Sequence, residues 1–220
     1  MNRPEAVLFD LDGTLADTAR DLAFALNEVL QSQGHAPLPF DAIRPWVSKG
    51  APGLIKLGFK ISPDASDYEP LRQRLLTVYE RNICRQTSLF EPLTECLSWF
   101  QEQHIPWGII TNKPGYLTTQ LLPKLNLDYP PKVVYSGDTF AVKKPHPEPL
   151  LNAAKALQIA PEKCWYVGDD RRDMEAARGA NMVAVAALWG YIPDNEDSRL
   201  WPSDLAYGTP DAFYQALRQL

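Results

Sequence analysis

The sequence predicts an α/β fold: a doubly wound, Rossmann-like parallel sheet with a small α-helical cap inserted near its start. Three observations carry that prediction. Short, continuously apolar, β-rich runs recur along the chain, as strands buried on both faces require. Helical patterns alternate with them, which is the order that builds a parallel sheet. One interval, about 16–86, breaks the alternation with helical patterns alone.

The elements follow in order. AVLFD (6–10) is the first strand and runs directly into Asp10 and Asp12. DTARDLAFALNEVLQSQG is a long helix, with Asp17 or Thr18 to cap its start and Gly34 to end it. Further helical stretches lie at about 40–46, 51–58 and 69–86, with no strand expected among them. Residues 16–86 are therefore the cap domain, and 1–15 with 87–220 the core domain. PLTECLSWFQEQH (92–104) puts Leu93, Cys96, Leu97 and Phe100 on one face. WGIIT (107–111) and KVVYS (132–136) are the next strands. EPLLNAAKALQ (148–158) gathers Leu150, Leu151, Ala154 and Leu157. CWYVGD (164–169) and MVAVAAL (182–188) are strands around a short helix at 173–180, and a last helix covers 210–220.

The bulk numbers narrow the function. The chain has 220 residues, 45% hydrophobic and 22% charged, enough for a real core. A net charge of −5 without a Lys/Arg block argues against nucleic acid or an anionic membrane as partner. It leaves room for a small anionic metabolite held by a few local cations. Cys84, Cys96 and Cys164 form no CxxC or Cys/His cluster, so they read as free thiols in a reducing compartment. No apolar run reaches the ~18 residues of a membrane span, and the first residues lack a signal-peptide core. A soluble cytoplasmic protein, monomeric or weakly dimeric, is the expectation.

In an open parallel sheet, ligands sit beyond the carboxyl ends of the strands. There the sequence places Asp10 and Asp12, then Thr111 and Asn112, then Asp169, Asp170 and Asp173, with Lys144 between the third and fourth strands. Clustered acids are costly without a cation. A hard divalent ion with oxygen ligands, Mg²⁺, would offset them. Mg²⁺ and Lys144 would then let a carboxylate attack an anionic phosphate ester. A second acid two residues on would protonate the leaving oxygen and later deprotonate water. Gly13 permits a tight bend after this pair. Thr14, Thr111 and local backbone amides would hold the phosphoryl oxygens.

These residues resemble the haloacid dehalogenase-like phosphohydrolase superfamily. Its DxDGT motif matches DLDGT at 10–14, its strand-ending hydroxyl matches Thr111 in IITN, its lysine matches Lys144 in KKPHP, and its acidic motif matches GDDRRD at 168–173. The resemblance implies Asp10 as nucleophile and Asp12 as acid/base. It implies Mg²⁺ held by Asp10, the backbone carbonyl of Asp12 and Asp169, with Asp173 in support or bound through water. A cap inserted after the first motif is also a family feature. Many relatives carry a small hydroxyl residue where Asp170 stands, which leaves open the division of labour among Asp169, Asp170 and Asp173.

The resemblance spans nearly the whole chain and is closest to phosphoglycolate phosphatase-like members, with TNKP and KPxPEP around the motifs. SKGA, SPDASDYEPLR and GYIPDNEDSRLWPSD also resemble N-acetylmuramic acid 6-phosphate phosphatases. The substrate loop is expected in WVSKGAPG (46–53), where Ser48, Lys49 and Gly50 would bind substrate beside Thr14 and Asn112. Lys49 would meet a carboxylate; a solvated loop lysine is the plain alternative. Asp12 disfavours dehalogenase and phosphonatase chemistry. A phosphosugar mutase and a non-catalytic phosphoacceptor are the remaining alternatives.

Overall fold

The structure is a computed structural model and describes residues 2–220; Met1, the first residue of the expected core segment, lies outside them. Six strands form one parallel sheet: β1 (Ala6–Phe9), β4 (Trp107–Ile110), β5 (Val133–Tyr135), β6 (Cys164–Gly168), β7 (Val183–Ala187) and β8 (Leu205–Tyr207). Their spatial order is β5-β4-β1-β6-β7-β8, so the winding reverses at β1. Phe9 lies beside Ile109 on one neighbour and Val167 on the other.

Burial on both faces explains the unbroken apolar runs. Val7, Phe9, Ile109, Val167 and Val185 face one layer, with Phe100 and Phe213. Ala6, Leu8, Ile110, Tyr166 and Ala184 face the other, with Leu150 and Met174. Helices α5 (Leu93–Glu102) and α9 (Pro210–Arg218) cover the first layer. Helices α7 (Glu148–Leu157) and α8 (Arg171–Gly179) cover the second. The Phe9 ring meets Trp107 and Phe213 edge-on, with centroids 6.2 and 6.0 Å away. Truncating such a ring costs about 3–5 kcal/mol.

Between β1 and α5 the chain builds α1 (Ala19–Ser32), α2 (Phe40–Ile43), a 3-10 turn (Arg44–Lys49), α3 (Gly50–Phe59) and α4 (Tyr68–Arg81). A two-strand antiparallel ribbon, β2 (Ala16–Asp17) and β3 (Ser88–Leu89), joins these helices to the core. Buried Asp21 on α1 fixes the returning chain, accepting from the Gln86 and Thr87 amides and the Thr87 hydroxyl.

Several expectations are corrected. β2 is a short strand inside 16–86, where none was expected, because its partner lies some 70 residues away in sequence. The helix expected over 69–86 stops at Arg81, and Cys84 takes a left-handed φ of 63° that an α-helix does not admit. At 44–49, Pro45 lacks the N–H an α-ladder needs, and the chain tightens to 3-10. Leu151 is exposed, because the buried stripe of α7 is Pro149, Leu150, Ala153 and Ala154. Thr18 precedes α1 but donates its hydroxyl to Asp12 at 2.6 Å rather than capping the helix. α6 (Gly115–Leu121) and the partly exposed edge strand β8 were not anticipated.

Candidate active site

The sheet's reversal at β1 opens a crevice at its carboxyl end, and the acidic residues converge there. Asp10 follows β1, its amide still bonded to the Val167 carbonyl of β6. Gly13 then turns the chain with φ 84°, and a side chain there would collide with the Asp169 carboxylate and the Tyr191 ring. Thr111 and Asn112 follow β4. Asp169 and Asp170 follow β6, and Asp170 and Asp173 form a reciprocal capping box that starts α8. Lys144 arrives from the loop before α7.

Three carboxylates make the floor. One oxygen each from Asp10, Asp169 and Asp173 lie within 4.8 Å of one another. Lys144 Nζ sits 2.9 Å from Asp10 Oδ1 and 2.7 Å from Asp173 Oδ1, and donates to the Tyr166 hydroxyl. Tyr166 in turn donates to the Ile110 carbonyl. Asp169 accepts from Thr14 Oγ1 (3.0 Å), Ser48 Oγ (2.5 Å) and the Tyr191 amide (2.8 Å).

One lysine does not balance three clustered acids, two of them buried and Asp10 half-buried. Burial, then the charges of Asp10 and Asp173, push the Asp169 carboxyl well above the usual range. Burial also lifts Asp173 to about 7, against the pull of Lys144 and with the push of Asp10. Burial pulls Lys144 down, but Asp10 and Asp173 outweigh it and leave its pKa raised. An all-oxygen donor set with surplus negative charge fits a hard divalent cation.

Beside the floor lie two balanced clusters. Asp12 accepts from Lys113 Nζ at 2.9 and 3.2 Å and from Thr18. Lys113 is buried, its ammonium 4.5 Å from the centre of the Tyr79 ring. Asp170 meets Arg172 Nε and Lys49 Nζ, each at 2.8 Å. Burial raises its carboxyl, but hydrogen bonds and charge from Arg172, then Lys49, bring it to about 2. Lys49 also pairs with Glu196 at 2.5 Å, and Arg172 donates to the Ser48 carbonyl.

Asp10, Asp12, Thr111, Asn112, Lys144, Ser48, Lys49, Gly50 and Asp173 all line one cavity of about 240 Å³. Two expected residues do not line it. Thr14 and Asp169 are buried behind it, bonded to each other. Lys49, expected to face a substrate carboxylate, is instead engaged by two protein carboxylates. Asn112 donates to the Lys144 carbonyl at 2.9 Å, and its buried Oδ1 has no partner among the described residues.

Lys113, Tyr79, Tyr191 and Arg172 had no role assigned from sequence. Lys113 stands in TNKP and Tyr191 in GYIPDNE, both conspicuous segments, but only tertiary contact shows what they touch. Tyr191 donates to Asp17 Oδ1 at 2.6 Å and accepts from the Ala19 amide, while Arg44 lies over its ring.

The family model for haloacid dehalogenase-like hydrolases matches residues 7–187. The chain belongs to the haloacid dehalogenase-like hydrolase family. A phosphoglycolate phosphatase from Xanthomonas campestris is 40% identical over 98% of this chain and 97% of that protein. An N-acetylmuramic acid 6-phosphate phosphatase from Pseudomonas putida is 34% identical over 94% of this chain and 93% of that protein. In fold, the chain matches the crystal structure of a predicted phosphoglycolate phosphatase from Haemophilus somnus, with TM-score 0.84 and 23% identity over 100% of this chain and 99% of that one. This family member is a phosphoric monoester hydrolase. Among its described residues no helix is long and apolar enough to cross a membrane.

Proposed function

We propose that this phosphatase hydrolyses a small, carboxylate-bearing phosphomonoester of the phosphoglycolate class through a phosphoryl group carried on Asp10. One observation carries the reading. Asp10 lines the cavity, and both of its bonds, from the Leu11 amide at 2.8 Å and from Lys144, fall on Oδ1. Among the described residues nothing bonds Oδ2.

Asp10 would attack phosphorus through that oxygen, and the bond from phosphorus to the ester oxygen would break. Asp12 would give a proton to the departing oxygen. Water would then attack the phosphoryl group on Asp10, with Asp12 taking its proton, to release inorganic phosphate and restore the carboxylate. Lys144 orients Asp10 and neutralises part of the phosphoryl charge. Asp10, Asp169, Asp173 and the Asp12 carbonyl would hold Mg²⁺, which supplies charge neutralisation and polarises a phosphoryl oxygen. The helical segment 16–86 serves as a cap that excludes water. Free thiols at Cys84, Cys96 and Cys164 accord with work in the cytoplasm. No partner beyond the metabolite is required of a monomer or weak dimer.

A second reading, hydrolysis of N-acetylmuramic acid 6-phosphate, draws on the cavity wall. Leu22, Leu75, Leu76 and Leu117 line it, and phosphoglycolate has one CH₂ to lay against them. Parallel assays with both compounds and Mg²⁺ decide the matter. A preference of about a hundredfold in kcat/KM, on the order of 3 kcal/mol, assigns the substrate; release from neither overturns both readings.

A further inference from the structure

The cavity carries more positive groups than a phosphoryl site uses, and most of them are already engaged. Six cations line it: Lys49, Arg72, Lys113, Lys143, Lys144 and Arg172. Lys113 is bound to Asp12, Lys144 to Asp10 and Asp173, Arg172 to Asp170, and Lys49 to Asp170 and Glu196. Freeing any of these four breaks a contact to a carboxylate that is at most 30% exposed, and Asp170 is only 5% exposed. Lys143 is exposed and comes from the core side, next to Lys144.

Arg72 differs. It lies on α4, and its partner Glu69 is 58% exposed and touches it through a single nitrogen, NH1, at 2.8 Å. A surface pair of this kind is worth about 0–1 kcal/mol. Nε and NH2 of the guanidinium, a planar edge suited to two oxygens of one carboxylate, make no bond among the described residues.

Helix geometry places that edge. Arg72, Leu75, Leu76 and Tyr79 all line the cavity, and their spacing of 0, 3, 4 and 7 puts them on one stripe of α4. Tyr79 marks the reaction end, because its ring covers Lys113, which holds Asp12. Arg72 stands seven residues earlier, about 10 Å along the helix axis. The two leucines lie between. The stripe thus presents a cation, an apolar middle and the proton-transfer machinery, in that order.

We propose that Arg72 is a specificity-determining residue that reads a carboxylate on the substrate while the phosphoryl group sits at Asp10. The proposal rests on the phosphomonoesterase reading above and transfers to Arg72 the recognition role expected of Lys49. The guanidinium exchanges an exposed glutamate for a carboxylate held in the cavity. The contact acts on binding and leaves the reacting atoms alone.

Two matched pairs of compounds test it. 2-Phosphoglycolate and ethyl phosphate differ by the carboxylate on a two-carbon frame. N-acetylmuramic acid 6-phosphate and N-acetylglucosamine 6-phosphate differ by the lactyl ether on one sugar. Arg72→Ala should lower kcat/KM for the acid of the preferred pair about 10- to 100-fold, mainly through KM, and leave its carboxylate-free partner within about twofold. Arg72→Lys should recover part of the loss, and Glu69→Gln should leave the acid's KM unchanged or lower. Equal losses for both members of the pair, or no loss for either, overturn the proposal. Calorimetry of the two acids with Asp10→Asn protein, with and without Arg72→Ala, reads the contact without turnover. Equal affinity there, or no binding, also overturns it. Wild-type turnover of ethyl phosphate that survives Asp10→Asn would instead sink the phosphoryl-transfer reading and leave the Arg72 result standing on its own.

Discussion

Asp169 and Asp170 are adjacent in sequence, yet they belong to opposite electrostatic regimes. Asp169 is buried beside the half-buried Asp10 and the buried Asp173. The one lysine there, Lys144, pairs with those two and not with Asp169, so burial and its acidic neighbours push its carboxyl toward the neutral form. Asp170 is also buried but meets an arginine and a lysine, and is held at about 2. Burial alone does not mark a functional acid. The surplus of charge does: the floor has the acidic excess that the proposed cation would offset, whereas the Asp170 cluster is paired with its own cations and ties the segment 44–49 to α8.

The contrast can be broken at its centre first. Asp10→Asn should reduce Mg²⁺-dependent phosphate release by on the order of 10⁴-fold, with an unchanged circular dichroism spectrum; retained activity would remove Asp10 as the nucleophile. Asp12→Asn should cost about 10²- to 10⁴-fold, slowing both the phosphorylation of Asp10 and its hydrolysis in single-turnover kinetics. It should also lower stability, because buried Lys113 loses its carboxylate. Normal rates for either step would exclude the acid/base role.

A thermal experiment sharpens the comparison at smaller scale. Saturating Mg²⁺ should raise the melting temperature by about 5 °C or more. Asp169→Asn should lose that increment and Asp170→Asn should keep it. The two should exchange places in acid. Asp170 has a depressed folded pKa, so between about 4 and 2 the unfolded chain binds more protons, and stability falls as the pH falls through that window. Asp170→Asn should lack that part of the acid slope. An Asp170 variant that loses the Mg²⁺ shift would erase the distinction between the two clusters.

The strands were legible because double-sided burial leaves no polar alternation to confuse them. β8 escaped because it is three residues long at the sheet's edge and only partly buried. α6 escaped because its two turns, GYLTTQL, expose one face and bury only Leu117, Thr118 and Leu121. In the site, carboxylates at strand ends stand out, since a strand end is where an acid can leave the apolar layer. Lys113 and Arg172 do not stand out: a lysine after a strand and an arginine in the first turn of a helix normally face solvent. What makes them part of the site is a partner from a distant segment, Asp12 for one and the Ser48 carbonyl for the other. Lys49 shows the converse. Its loop lines the cavity, but Glu196, nearly 150 residues away, occupies the ammonium.

The β2–β3 ribbon has an engineering meaning. Ala16 stands opposite Leu89 and Asp17 opposite Ser88, so the outgoing and incoming chains share one stem. Residues 18–87 are in that sense a cassette. Exchanging them for the matching piece of a relative would cut two neighbouring peptide bonds and leave every register of the six-stranded sheet untouched. Arg72 would travel with the cassette and Asp10 would stay behind, so on the roles proposed for them substrate choice and bond cleavage would be inherited separately.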